Sequence, residues 1–314
     1  MIVAITGGTG FIGKKLVLRH LDRGDQVRLI SRRAKTEVDL PGDVTVYQAD
    51  LADRNTNLVP FVDGADILYH CAGEVRDPGR MYAVYVEGTT KLVDAAAGRI
   101  GHWVQLSSVG VYGPHYRGII AEDALENPIG IYEETKVCAD HIVIDGAGRS
   151  KFTCTILRPS NVFGPAMKNR SLFKLITAVD KKIFFFIGKP GAVANYIPVD
   201  NVVEALLRCG TVEAAKGRIY NLSDHCTVEE LIKVIAQSLA KPIPRFRLPE
   251  APVRLLARML GRIPGFPLTE SRVNALTSRA VYSCQRIHHE LNYRHPVSLE
   301  AGFRQLVEAW KQAA

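Results

Sequence analysis

Long apolar runs are missing from this chain of 314 residues. A membrane-spanning helix needs about 20 consecutive apolar residues, and an apolar stretch such as residues 183–187 is far shorter than that. No secretory leader is expected either, because a buried strand is predicted from Ile2 onward. We therefore expect no membrane insertion and a cytoplasmic location.

Close cysteine pairs are absent as well. The cysteines lie at positions 71, 138, 154, 209, 226 and 284, without the paired spacing that zinc sites require. Most of them lie in apolar runs, which is typical of small buried side chains in a reducing compartment. The sequence therefore predicts no metal site and no disulfide framework.

Runs of basic residues are also missing. The formal net charge is +8, but the lysines and arginines are spread along the chain without interleaved aromatic residues. A nucleic-acid-binding surface would concentrate them on one element. The charge fits an anionic ligand, most of it is predicted to form a solvated surface, and no nucleic-acid partner is expected.

Glycines, by contrast, are concentrated near the start of the chain. Residues 2–5 predict a buried strand, and residues 11–23 predict a helix with apolar side chains at helical spacing. Gly7, Gly10 and Gly13 fall at the strand-to-helix turn, which is the context of a dinucleotide-binding turn, and an ordinary glycine-rich turn is the alternative. Gly10 would let the backbone approach a pyrophosphate closely, and Gly13 would let the helix pack on its strand. The residues assigned to cofactor binding here are Gly7, Gly10, Phe11, Ile12 and Gly13.

The second predicted strand, residues 26–30, is followed by Ser31, Arg32 and Arg33, which we assign to cofactor binding. An NAD site usually ends this strand with an acidic residue that accepts a hydrogen bond from the ribose 2′-hydroxyl. Arginine instead pairs with a 2′-phosphate and stacks on adenine. The sequence therefore predicts NADP, with NAD as the alternative if the two arginines only form a solvated loop.

Strands and helices alternate along the following part of the chain. Strands are predicted at 44–48, 66–70 and 103–107, and this alternation indicates a parallel α/β sheet with right-handed crossovers. Ligands of open α/β sheets bind at the carboxyl ends of the strands. The cofactor contacts predicted at these ends are Asp50, Leu51, Cys71, Ala72, Gly73 and Ser107.

A possible catalytic set follows the strand at 103–107. Ser108 comes directly after it, and Tyr132 and Lys136 lie at the start of a later predicted helix. The tyrosine and the lysine are spaced i, i+4, so they lie on one helix face. This pair alone is weak, because it arises by chance in many chains of this size. The glycine turn, the serine pair and the Tyr/Lys helix together predict one site on one rim of the sheet.

On these motifs the chain resembles the extended short-chain dehydrogenase/reductases, the group of nucleotide-sugar epimerases and dehydratases. The resemblance rests on TGGTGFIG at 6–13, DL at 50–51, SSVGVYG at 107–113, Y-x-x-x-K at 132–136, RPSNVFGP at 158–165, YIPVDN at 196–201 and YNL at 220–222. It implies a Rossmann doubly wound parallel sheet formed by residues 1–164 with about 195–224. It also implies a smaller, mainly α-helical substrate domain formed by about 165–194 with 225–314.

In that family a serine, a tyrosine and a lysine carry catalysis, and the matching residues are Ser108, Tyr132 and Lys136. The resemblance implies that Tyr132 exchanges a proton with the substrate and that Ser108 hydrogen-bonds the reacting oxygen. It implies that Lys136 holds the nicotinamide ribose, and its ammonium is expected to lower the pKa of Tyr132. The further cofactor contacts expected near these residues are Ser107, Tyr132, Lys136, Pro159 and Val162.

Three departures from the family pattern are informative. Val109 and Gly110 stand where the family's dehydratases have an Asp and a Glu, which argues against dehydration. Tyr85 stands where the family usually has an asparagine that supports the site. Residues 193–195 lack the arginine that often grips a sugar nucleotide's diphosphate, which weakens that substrate class without excluding it. The residues assigned to substrate binding are Ser108, Asn161 and Arg279.

The leading hypothesis is an NAD(P)-dependent enzyme that acts at a CH–OH/C=O centre of a nucleotide-linked sugar, by 4-epimerisation or keto-reduction. The alternative is a ketoreductase or hydroxysteroid-type dehydrogenase that acts on a hydrophobic alcohol. The arginine pair at 32 and 33 and the apolar residues at 247–260 favour this alternative. A third hypothesis is an NADP-sensing protein without turnover. The family resemblance also suggests a homodimer through the helices at 82–97 and 131–146.

Overall fold

The computed structural model describes residues 1–40, 44–260 and 269–313. Strands are numbered along the chain. The first seven are β1 (Ile2–Thr6), β2 (Gln26–Ser31), β3 (Val44–Gln48), β4 (Ala65–His70), β5 (Ile100–Leu106), β6 (Arg117–Ile120) and β7 (Thr153–Pro159). They are followed by β8 (Asn161–Phe163), β9 (Phe186–Ile187), β10 (Val193–Pro198), β11 (Ile219–Leu222), β12 (Asp224–Thr227), β13 (Arg247–Leu248) and β14 (Arg279–Tyr282).

Helices alternate with these strands in the first half of the chain and dominate the second half. The first six are α1 (Phe11–Asp22), α2 (Val59–Val62), α3 (Pro78–Tyr82), α4 (Gly88–Ala96), α5 (Ile131–Arg149) and α6 (Ser171–Asp180). They are followed by α7 (Val199–Thr211), α8 (Val228–Ser238), α9 (Glu250–Leu260), α10 (Glu270–Thr277), α11 (Gln285–Glu290) and α12 (Leu299–Ala313).

The central sheet has seven strands in the order β3-β2-β1-β4-β5-β7-β11, and every neighbouring pair is parallel. Its strands are rich in β-branched and aliphatic residues because both faces are covered by helices. The predicted doubly wound α/β fold is therefore confirmed. The strand order reverses between β1 and β4, so the crevice that binds ligands in such sheets lies at their carboxyl ends, near Thr6 and His70.

Three apolar clusters account for most of the buried interior. One packs α1 and α7 against the sheet, and a second packs α4 and α5 against it. The third joins α6, α8 and α12 and includes Phe163, whose ring stacks on Phe303 at 4.4 Å between centroids. Most of this cluster lies in the part of the chain predicted to form the substrate domain, whereas Phe163 belongs to the part predicted to form the Rossmann domain.

Two predicted elements differ from the structure. The helix predicted at 82–97 is broken by a π-helical turn, Ala83–Glu87, which precedes α4. Such turns insert one extra residue per turn and re-aim the side chains they carry. The short apolar stretch at 183–187 also predicts a strand, but only Phe186–Ile187 forms one, and it pairs with β13 and not with the central sheet.

Candidate active site

The turn between β1 and α1 is packed against the end of β4. Gly7 has φ 68°, and a Cβ atom there would lie 2.6 Å from the carbonyl oxygen of Cys71. A Cβ atom on Gly13 would lie 2.2 Å from the carbonyl oxygen of Gly7. Side chains at these two positions are therefore excluded by backbone atoms, as a close-packed dinucleotide turn requires.

The first turn of α1 presents backbone N–H groups that no side chain caps. Gly10 is the N-terminal capping residue and makes no side-chain hydrogen bond to this turn, and its own N–H donates to the carbonyl of Gly7 at 2.8 Å. Phe11 and Ile12 open the helix and are half-buried. Free N–H groups and the positive end of the helix dipole attract an anion. The turn therefore fits the pyrophosphate of a dinucleotide, which supplies or accepts a hydride at its nicotinamide ring when bound.

The end of β4 is held in place by a buried polar chain that the sequence analysis missed. The Thr6 hydroxyl shares a hydrogen bond with Nδ1 of His70 at 2.7 Å and accepts one from the N–H of Ala72 at 3.0 Å. Nε2 of His70 lies 3.1 Å from the hydroxyl of Thr89. Burial, with a smaller effect of Lys136, lowers the pKa of His70 to about 3, so the imidazole is neutral. This chain fixes the backbone of residues 71–73, which the sequence assigns to the cofactor.

The end of β2 carries cations and no carboxylate. Arg32 and Arg33 are exposed, and within the described ranges their side chains form no hydrogen bond or ion pair. The Ser31 hydroxyl accepts a hydrogen bond from the N–H of Arg33 at 3.0 Å, which orders this turn. Asp50 accepts from Arg80 at 2.7 Å, and the neighbouring Leu51 is buried. The positive charge of Arg32 acts on the carboxylates of Asp50 and Glu74, and two exposed guanidinium groups at this position fit a 2′-phosphate.

The predicted catalytic residues converge at the carboxyl end of β5. The Lys136 ammonium is buried and donates to the carbonyl oxygen of Leu106 at 2.5 Å. The Tyr132 ring packs edge-on against Tyr85, with 5.9 Å between centroids. The Ser108 hydroxyl accepts a hydrogen bond from the N–H of Gly110 at 3.0 Å, which starts the short helical turn Val109–Tyr112.

Burial dominates the protonation of these groups. It raises the pKa of Tyr132 to about 12, with a smaller contribution from Glu133, and a hydrogen bond with Ser108 opposes the rise. It also lowers the pKa of Lys136 to about 8. The expectation that Lys136 lowers the pKa of Tyr132 is therefore wrong for this structure. The ammonium is directed at the carbonyl of Leu106 and at another ring, so its field does not offset the cost of burying a phenolate.

That other ring belongs to Tyr85, on the π-helical turn. The Lys136 ammonium lies 4.7 Å from the centroid of this ring. The Tyr85 hydroxyl donates to the carbonyl oxygen of Glu74 at 2.9 Å. A Cβ atom on Gly73 would lie 2.5 Å from that hydroxyl oxygen, so a larger residue at position 73 would displace the Tyr85 side chain. Tyr85 thus links the strand end at 71–73 to helix α5.

Ser107 is held by a buried ionic network. Its hydroxyl donates to Oδ2 of Asp140 at 2.7 Å, and Arg158 contacts the same oxygen at 3.1 Å. Arg158 also donates to the Tyr112 hydroxyl at 3.2 Å. Both ionic side chains are almost fully buried, at 2% and 0% exposure. The sequence analysis did not single out Asp140, although its i, i+4 spacing from Lys136 was a usable signal.

The remaining predicted residues lie at the end of β7 and on later strands. Pro159 ends β7, and Val162 lies in β8 and packs against the central core. The Asn161 amide donates to the carbonyl oxygen of Asn195 at 3.1 Å. Arg279, on β14, donates to the carbonyl oxygens of Gly191 at 3.2 Å and Pro190 at 2.6 Å.

Arg279 belongs to a strongly basic cleft of about 890 Å³. Six cationic side chains and one carboxylate, Glu250, line this basic cleft. Ser108, Tyr132 and Lys136 are not among its lining residues. The structure therefore brings the predicted catalytic residues together and places Arg279 in a separate cavity. The cations that line the basic cleft are Arg117, Lys189, Arg247, Arg254, Arg258 and Arg279.

Two further searches were negative for the part of the chain that the structure describes. No group of His, Cys, Asp and Glu side chains in these ranges is arranged to hold a metal ion. No helix among the described residues combines the length and the apolarity needed to cross a membrane.

Comparison with known proteins identifies relatives along the whole chain. Sterol demethylase protein B of Methylococcus capsulatus is 28% identical, over 99% of this chain and 98% of that protein. The 3beta-hydroxysteroid-dehydrogenase/decarboxylase isoform 1 of Arabidopsis thaliana is 25% identical, over 98% of this chain and 79% of that protein. The fold is similar to that of UDP-glucuronic acid 4-epimerase from Bacillus cereus in complex with NAD, with a TM-score of 0.76, 18% identity and coverage of 100% of this chain and 99% of that one. Residues 3–223 match the model of the NAD dependent epimerase/dehydratase family, and the chain therefore belongs to this family of extended short-chain dehydrogenase/reductases.

Proposed function

We propose that this protein is an NAD(P)-dependent dehydrogenase that interconverts a secondary hydroxyl and a ketone on a sterol or a similar hydrophobic alcohol. The reaction rests on one observation, the convergence of Ser108, Tyr132 and Lys136 at the carboxyl end of β5. The substrate class is supported by the two relatives matched over nearly the whole chain, whose names refer to a sterol and a hydroxysteroid.

Each residue of this set has a separate role in the proposal. Tyr132 exchanges a proton with the reacting oxygen, and its phenol remains neutral until that oxygen is engaged. The Ser108 hydroxyl donates to the same oxygen while its lone pair accepts from Gly110. The Lys136 ammonium holds the ribose hydroxyls and supplies positive charge beside the phenol.

The surroundings of the site support an apolar substrate. The segments that precede Tyr85 and Tyr132 expose large apolar side chains, which are Val75 (67%), Tyr82 (56%), Ile129 (62%) and Ile131 (43%). The amide of Asn161 is engaged by the backbone of Asn195, and no arginine lies at 193–195 to grip a diphosphate. Exposed apolar side chains on these two segments suit a fused-ring alcohol better than a diphosphate.

The preferred cofactor in this proposal is NADP. Arg32 and Arg33 are exposed, form no side-chain hydrogen bond or ion pair within the described ranges, and follow a strand that ends without an acidic residue. NAD remains the alternative, since the family is NAD-dependent.

The decisive experiment combines binding with turnover. Thermal stabilisation by NADP(H) and NAD(H) is measured first, because a ligand of the native state raises the midpoint. Oxidation of 3β-hydroxysterols is then followed by nicotinamide absorbance, with Tyr132→Phe as the matched inactive variant. Turnover that depends on both the sterol and Tyr132 supports the proposal. Cofactor binding without turnover of any hydrophobic alcohol contradicts it.

The basic cleft favours a second function, epimerisation or keto-reduction of a nucleotide-linked sugar. Its six cations could receive a diphosphate that the segment at 193–195 lacks the charge to hold. A panel of UDP-, GDP- and dTDP-sugars tests this function. A further thermal shift with one of them, lost in Arg117→Ala, would move the assignment to that sugar. Any substrate-dependent change in nicotinamide absorbance excludes a protein that only senses NADP.

A further inference from the structure

Helix α9 turns an apolar face to solvent. Residues spaced four apart form four rows along this helix, and the rows differ in polarity and exposure. Val253 and Ala257 are buried against Ile187 and Val273, and this row fixes the helix to the body of the protein. Two neighbouring rows are apolar and exposed, and we call them the apolar rows. They consist of Ala251, Leu255 and Met259, and of Pro252 and Leu256.

The exposure of the apolar rows is large. Leu255 is 59% exposed, Leu256 41% and Met259 69%. The segment before α9 adds Ile243 at 43% and Phe246 at 65%. Single exposed apolar residues are ordinary on protein surfaces, but a continuous apolar helix face marks an interaction site.

The fourth row of α9 is charged and borders the basic cleft. It consists of Glu250, Arg254 and Arg258, all of which line that cleft. The pairing of Arg254 with Glu250 and of Arg258 with Glu270 neutralises part of this charge. The side chains of Arg117 and Lys189 in the cleft form no hydrogen bond or ion pair with the described residues, so the surroundings remain positive.

The apolar rows and the adjoining cations together fit one kind of partner. An amphipathic helix with an apolar face beside cationic side chains binds at the interface of an anionic lipid bilayer. A second copy of the chain fits less well, because packing two such faces together would gather the basic clefts of both copies around one interface. With 11 residues, α9 is far too short to span a bilayer and suits a position parallel to the surface.

We propose that the apolar rows of α9, together with the adjoining basic cleft, form a peripheral docking surface for anionic phospholipid membranes. The apolar side chains enter the boundary between headgroups and acyl chains, while the cleft cations face lipid phosphates. This docking is independent of the hydroxyl chemistry proposed above. Membrane docking would bring the protein to a sterol substrate, because sterols reside in membranes.

The test uses the full-length protein and lipid vesicles. Cosedimentation is measured with vesicles of phosphatidylcholine alone and with vesicles that also contain phosphatidylserine. The double variant Leu255→Ser/Met259→Ser should weaken binding to the mixed vesicles about tenfold or more. The double variant Arg117→Gln/Lys189→Gln should weaken binding to the mixed vesicles about tenfold and leave the weak binding to phosphatidylcholine unchanged.

The matched control is Leu125→Ser, at a side chain 88% exposed outside α9, which should bind like the wild type. No binding of the wild type to mixed vesicles overturns the proposal, as does an equal loss in the control. Wild-type dimerisation in sedimentation velocity that the Leu255→Ser/Met259→Ser variant abolishes, without vesicle binding, identifies a second copy as the occupant and also overturns it. A lower thermal midpoint in this variant, without vesicle binding by the wild type, means that the chain covers the face itself. Because no substrate is present, these outcomes do not bear on the proposed dehydrogenase.

Discussion

The Lys136 ammonium lies over the ring of Tyr85, 4.7 Å from its centroid. The two residues come from different elements, since Lys136 lies on α5 and Tyr85 on the π-helical turn. A cation over a buried aromatic face is stabilised by about 2 kcal/mol. This ring therefore supplies part of the electrostatic compensation for a charge taken out of water.

Removing the ring should reduce activity without unfolding the protein. We expect Tyr85→Leu to lower kcat by about tenfold, because the ammonium loses its aromatic partner and a fixed position. Tyr85→Phe keeps the ring and loses only the hydrogen bond to Glu74, so its kcat should stay within about threefold of the wild type. Steady-state kinetics of both variants make the comparison. Equal losses in the two variants would show that the hydroxyl matters and the ring does not.

Tyr132 is the residue whose loss should separate binding from chemistry. Tyr132→Phe removes the proton that the reaction needs, so turnover should fall by about 10² to 10⁴. The cofactor-induced rise in the thermal midpoint should persist. Near-normal turnover in this variant would remove Tyr132 from the mechanism.

Lys136 should make stability depend on pH in a defined direction. Burial lowers its pKa from 10.5 to about 8, so between these values the unfolded chain binds a proton that the folded chain does not. Stability due to this group therefore rises with pH across that window, and the full cost of the buried ammonium is present below it. Relative to the wild type, Lys136→Met should be more stable near pH 7 than near pH 10 by about 2 kcal/mol.

Urea unfolding at the two pH values measures this difference. The control is Lys35→Met, an exposed lysine, whose stability relative to the wild type should not change with pH. A pH-independent difference for Lys136→Met would mean that the ammonium is fully compensated in the fold.

Arg32 should decide between the two dinucleotides. Arg32→Glu places a carboxylate where a 2′-phosphate would bind, so NADP affinity should fall by about tenfold to a hundredfold while NAD affinity stays the same or improves. Calorimetric titration with both cofactors measures this. Lys35→Glu introduces the same charge change on the following turn and should leave the preference unchanged. A similar loss for both cofactors in Arg32→Glu would refute a specific phosphate contact.

The pair formed by Asp140 and Arg158 should matter for stability. Among the described residues, Asp140→Asn removes the fully buried one of the two carboxylates that pair with the Arg158 guanidinium and leaves only Glu126, which should cost about 3 kcal/mol. The double variant Asp140→Leu/Arg158→Met replaces both charges by apolar groups and should recover part of this loss. Chemical denaturation of the two variants gives the comparison. Greater damage in the double variant would indicate that the network serves packing more than charge balance.

Short-range sequence patterns predicted those elements of the structure that neighbouring residues form. The strand, the glycine turn and the helix at the start of the chain follow from periodicity and from conformations that only glycine adopts, so Gly7 and Gly13 were predictable. The i, i+4 spacing of Tyr132 and Lys136 is sufficient to predict that both lie on one helix face.

Contacts between distant segments were not predictable in this way. The approach of Lys136 to Tyr85 depends on a π-helical turn that no propensity indicates, and the pKa of Tyr132 depends on how deeply the ring is buried. The basic cleft is assembled from several elements, so an even spread of charge along the sequence concealed a concentration in space.

The contact of Gly73 with Tyr85 limits the order in which this site can change. A side chain at position 73 would meet the Tyr85 hydroxyl at 2.5 Å, and that hydroxyl is tied to Glu74. A side chain at position 73 requires that the tyrosine shift or be lost, whereas loss of the tyrosine needs no earlier change at position 73. Substitution at position 73 therefore depends on the state of position 85, whereas substitution at position 85 does not depend on position 73.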